Sequence, residues 1–101
     1  DIAVATHSVT LAKVRAAQGR GGEAEELFRR GLSLLEGQEY QIDLALTLLK
    51  YGEGMLLLGH DARAREMFAQ ARELFATMGA GYFVDEVDRR LAGVTPAVSP
   101  P

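Results

Sequence analysis

One spacing occurs twice and constrains this chain more than any other feature. Gly19, Ala24, Phe28 and Gly31 return as Gly59, Ala64, Phe68 and Ala71, each forty positions later. Leu34 and Leu74 extend the match, and Glu26 and Glu66 lie inside it. Self-similarity at a fixed period of this length marks repeated supersecondary units that bury a continuous core only by stacking on one another. Between the glycines, apolar residues recur at helical steps, and no segment alternates with period two. The fold class expected is therefore all-α, built of tandem antiparallel helix pairs.

Five helices are expected, over about 2–18, 23–36, 41–58, 61–78 and 82–92. Gly19-Arg20-Gly21-Gly22 parts the first two, because glycine is costly inside a helix and tolerant in a turn. Gly37 is placed to stop the second helix, and Asp1 and Asp61 to cap the first and fourth. Gly79-Ala80-Gly81 opens the fifth, on which Asp85 with Arg89 and Glu86 with Arg90 stand four apart. The third helix is apolar nearly all round, from Leu44 to Leu58, so it belongs in the middle of the stack. This divides the chain into a domain over 1–94, with units 2–36 and 41–78 and a capping helix 82–92, and a proline-containing tail or linker over 95–101.

The repeated residue types have a steric reason. Two antiparallel helices joined by a short turn approach closely only where side chains are small, which suits Ala24, Ala64, Gly31 and Ala71. Phe28 and Phe68 stand one turn further on and fill the space between helices. Ala12 and Gly52 are also forty apart, midway along the leading helices. Gly52 and Gly54 each cost roughly 1 kcal/mol relative to alanine inside a helix, which points to close packing there. Tyr40, Tyr51 and Tyr82 read as amphipathic packing residues, and Met67 and Met78 as core.

This pattern of small residues around an aromatic, over about Ala5 to Met78, resembles the tetratricopeptide repeat. Ala12, Ala24, Phe28 and Gly31 match in the first unit; Gly52, Ala64, Phe68 and Ala71 match in the second. The period of forty departs from the usual length of about 34 residues. The closing proline is missing, and Arg15 stands where the family prefers an aromatic. The longer units, with Leu57-Leu58-Gly59 and Leu74 to Ala80, are most similar to repeats of bacterial signalling ATPases and transcription regulators. The resemblance implies a right-handed solenoid of two repeats plus a capping helix. It also implies a protein-protein interaction module within a larger regulatory or signalling protein, without chemistry of its own. A peptide or helix of a partner would dock on the concave face, at Thr6, Val9, Lys13 and Ala16 in the first unit and Leu46, Leu49, Glu53 and Leu56 in the second. The alternative is a homodimerising helical bundle whose groove is filled by its twin.

Charge and motif content narrow the function classes. A net charge of −3 gives no basic footprint for direct nucleic-acid binding. Arg29 and Arg30 are each preceded at four residues by Glu25 and Glu26, as on a solvated helix face. The chain has no cysteine, so disulfides and thiolate metal sites are excluded, and a cytoplasmic setting is the default expectation. Ile42 to Leu58 is interrupted by Asp43, Lys50 and Glu53, so no membrane span is expected. His7 and His60 lack partners at ligand spacing, so no metal is expected. Neither a nucleophile elbow nor a phosphate-binding or dinucleotide loop is present, so no cofactor and no catalytic residue is assigned.

Overall fold

The computed structural model describes residues 2–36 and 40–94, which form five α-helices and no strand. They are α1 (Ile2–Ala17), α2 (Gly21–Leu34), α3 (Gln41–Leu57), α4 (Asp61–Thr77) and α5 (Gly81–Ala92). The expected cap at Asp1, the stop at Gly37 and the tail 95–101 lie outside the described residues. Neighbours along the chain pair up: α1 packs on α2, α3 on α4 and α5 on α4, while α1 and α2 also meet α3. Extents of 47 × 34 × 16 Å describe the slab that helices stacked in a row produce.

Three turns share one construction. Gly19, Gly59 and Gly79 have φ of 76°, 77° and 72°, a left-handed conformation in which a Cβ is strained. Each follows a helix end, and the next residue's N–H reaches back five positions: Arg20 to Arg15, His60 to Met55 and Ala80 to Phe75, at 2.9, 2.8 and 2.9 Å. These bonds satisfy carbonyls that a helix end leaves free. The next helix starts at once. Gly21, Gly22 and Gly81 are consequently helical, where the sequence had suggested a turn throughout. A single left-handed glycine completes each reversal. His60, not Asp61, takes the N-cap position of α4, and no side chain caps it; Asp61 is the first helical residue, where its charge suits the helix dipole.

The forty-residue period also has a structural basis. The leading helices α3 and α5 start at Gln41 and Gly81. The trailing helix α4 has 17 residues against 14 in α2. The connection after α4 is the tight glycine turn, while six residues separate α2 from α3. A longer helix with a shorter link keeps the register.

Packing around α3 explains its glycines. Phe28 and Phe68 are fully buried. A Cβ on Gly54 would lie 2.6 Å from the Phe28 ring, and one on Gly52 would lie 2.5 Å from the Phe68 ring. Each phenylalanine thus projects from a trailing helix onto a glycine of the central one. Gly31 plays the same part between α2 and α1, where a Cβ would meet Val9 at 2.7 Å. α5 docks by stacking Phe83 on Phe75, with centroids 4.8 Å apart, and by burying Val87.

Candidate functional site

The leading helices carry the surface where the family resemblance places a partner. A cavity of about 450 Å³ opens there, with Lys13 from α1, Glu53, Leu56 and Leu57 from α3, and Arg89 and Arg90 from α5. Phe68 closes its floor, and Gly93 its edge. Glu53 is the hub. Its Oε1 lies 3.6 Å from Lys13 Nζ and its Oε2 lies 3.1 Å from Arg90 Nη2, so one carboxylate ties all three leading helices together. The Nε of Arg90 is buried and has no hydrogen-bond acceptor. Arg89 pairs with Glu86 at 3.1 Å. The fifth-helix pairing suggested by the sequence is therefore replaced: Arg90 leaves Glu86 for Glu53 across the groove, and Arg89 takes Glu86 instead.

The eight residues named from the sequence separate into three sets. Lys13, Glu53 and Leu56 line this cavity. Thr6 is exposed at the N-terminal end of α1, and Leu46 is half-buried on α3. Val9, Ala16 and Leu49 are buried, because their sides of α1 and α3 face neighbouring helices; they underlie the surface rather than form it. Leu57 was missed although it is the most open of the α3 leucines, at 61% against 37% for Leu56. Arg89 and Arg90 were missed because nothing in the sequence shows which face of α5 turns toward α3.

A second polar cluster lies between the two units. Tyr51 of α3 donates its hydroxyl proton to Glu25 of α2 and stacks on Phe28, with centroids 4.8 Å apart and planes at 8°. Arg63 of α4 donates to the Tyr51 hydroxyl at 3.2 Å, with its guanidinium carbon 5.5 Å from the ring centroid. Arg63 also lies 3.5 Å from Glu25 and 3.0 Å from Glu66, and Arg29 lies 3.3 Å from Glu25. The Tyr51 hydrogen bond holds the Glu25 carboxyl below its ordinary value of 4.5, against an upward push from burial and with help from Arg29 and Arg63. Burial, followed by the bond to Glu25, holds the Tyr51 phenol above 10.0. This cluster fastens α2, α3 and α4 together. It uses the tyrosine as a packing residue with a satisfied polar tip.

Chemistry is sparse elsewhere. Among the described residues no three His, Asp or Glu side chains cluster closely enough to hold a metal ion. None of the described helices is long and apolar enough to cross a membrane.

Paired helices in register, each with small contact residues and one buried ring, define a helical-repeat scaffold. The chain belongs to the tetratricopeptide repeat family, whose model matches residues 1–77, the span from α1 through α4. No curated protein and no solved structure matches the chain. Membership sets the functional class as a protein-protein interaction module; repeats of this family are generally non-catalytic scaffolds.

Proposed function

We propose that the chain binds an extended or helical segment of a partner protein in the groove across α1, α3 and α5. The observation that carries this reading is the pair Leu56 and Leu57, exposed on the central helix inside a cavity of about 450 Å³. Apolar side chains left open in a groove rimmed by charges suit a partner's apolar anchors. The likeness of the longer units to those of bacterial signalling ATPases and transcription regulators supports a place within a larger regulatory protein.

A photo-crosslinking amino acid at Leu57 tests this in native lysate, against the same probe at the exposed Gln70 of α4. Partner proteins captured from Leu57 and not from Gln70, and lost on Leu56→Glu, are the expected result. Identical capture from both positions would refute the groove. Capture of the chain by itself alone would favour the homodimer instead.

A further inference from the structure

We infer that the chain has a second docking site, on the face opposite the groove, and that it takes an apolar side chain flanked by lysine or arginine from a partner protein. This goes beyond the groove reading and does not depend on it. A cavity of about 420 Å³ opens between the trailing helices α2 and α4, over α3. Leu44 and Leu48 of α3 form its floor, with Leu32 of α2 and Leu74 of α4 on its banks. Leu44 and Leu48 stand nine residues, about two and a half turns, before Glu53 and Leu57, so the two sites occupy opposite sides of the central helix. Leu48 is buried, whereas Leu32, Leu44 and Leu74 stay half-buried.

The rim fixes the charge of the occupant. Glu36, just past the end of α2, and Glu73 of α4 put a carboxylate on each bank, and no lysine, arginine or histidine lines the cavity. Among the described residues neither carboxylate is ion-paired. Arg29 and Arg63 turn instead to Glu25, and Arg72 to Asp88. Neither α2 nor α4 has a basic residue in its last turn, where the helix dipole leaves a partial negative charge. α1 has Arg15 there, and α5 has Arg89 and Arg90. The joint between α4 and α5 offers an internal comparison. Forty residues on from Leu32 and Leu48 stand Arg72 and Asp88, paired at 2.6 Å with side chains 45% and 47% exposed. There the chain closes the joint with charges that water tolerates. At the first joint it keeps leucines half open beneath two unpaired glutamates, which suits an apolar anchor carried on a basic segment.

Titrating the full chain, methyl-labelled at leucine, with end-capped peptides tests this by NMR. Three peptides carry paired leucines spaced by lysine, glutamine or glutamate; a fourth keeps the lysines and replaces leucine by alanine. The first is expected to shift the methyls of Leu32, Leu44 and Leu74 saturably. It is expected to bind about 3- to 10-fold more tightly than the glutamine peptide, with the glutamate peptide weakest. The alanine peptide is expected to leave those methyls unmoved. Glu36→Gln with Glu73→Gln changes two exposed residues, removes the rim charge and is expected to erase the lysine preference. Circular dichroism checks that the helices persist in this variant.

No saturable shift at Leu32, Leu44 and Leu74 below about 1 mM would overturn the inference. So would shifts confined to Leu56 and Leu57, equal affinity for the three leucine peptides, or a lysine preference that survives the double variant. Equal shifts from the alanine peptide would reduce the site to bare charge and overturn it as well. Self-association that occupies these leucines would assign the face to a second copy, with the same consequence. The groove stands or falls apart from this result. Gln70 lies on the rim of this cavity and Leu57 in the groove, so crosslinks at the two positions report one face each.

Discussion

Replacing Gly54 by alanine separates local propensity from packing, because the two act in opposite directions there. In a helix interior the change from glycine to alanine gains roughly 1 kcal/mol. At Gly54 the added Cβ falls 2.6 Å from Cε2 and 2.8 Å from Cζ of Phe28. The ring cannot swing away cheaply. It is fully buried and stacked on Tyr51, which is itself tied to Glu25 and Arg63. Forcing a methyl into a packed site costs about 1–3 kcal/mol. The net expectation is a loss of about 1 kcal/mol, or roughly 4–8 °C in Tm for a domain of this size. In a Phe28→Leu background the ring atoms that collide are gone, and the same substitution should become stabilising by about 0.5–1 kcal/mol. The coupling between the two sites is then about 1.5–2 kcal/mol. Urea titrations of the four chains, followed by circular dichroism, give this cycle directly. If Gly54→Ala stabilises the wild type by about 1 kcal/mol, or shifts both backgrounds equally, the nesting of Phe28 on Gly54 is wrong.

Other substitutions follow from the same geometry. Gly59→Ala meets nothing within 4 Å but sits at φ +77°, so a purely conformational loss of about 1–2 kcal/mol is expected in denaturant titration. Gly22→Ala is helical with open space around its Cβ, and should gain up to about 1 kcal/mol by the same titration. Phe68→Ala empties the joint between α3 and α4 and should cost about 3–5 kcal/mol, read as an early thermal transition. The raised Tyr51 phenol contributes stability fully present below pH 10.0 and lost as pH climbs through its folded value. The depressed Glu25 carboxyl contributes stability present above pH 4.5 and lost as pH falls through its folded value. Tyr51→Phe should flatten both limbs of a stability profile against pH; two unchanged limbs would assign the losses to other groups.

Much of the fold was legible because the chain repeats itself. Phe28 and Phe68 stood out by recurring forty positions apart among small residues, and both turned out to be fully buried. Gly52 and Gly54 were legible as anomalies, since an apolar helix has no use for glycine unless something presses on it. What presses was not readable, because the rings come from α2 and α4. The turns were half legible: three glycines among residues 19–22 announced a break, but only φ shows that Gly19 alone makes it. The groove was less legible still. Lys13, Glu53 and Leu56 were placed by family register, whereas Arg89 and Arg90 enter through the docking angle of α5, a tertiary property. The bond between Tyr51 and Glu25 spans 26 residues and left no local trace in the sequence.

Proton NMR on the chain in solution tests the duplicated hairpin most directly, through contacts between the α-protons of Gly54 and Gly52 and the rings of Phe28 and Phe68. Strong cross-peaks for both pairs, with the glycine α-protons displaced by ring currents, are expected. Glycines at ordinary shifts with no contact to either ring would show that the two units do not close around α3 as described.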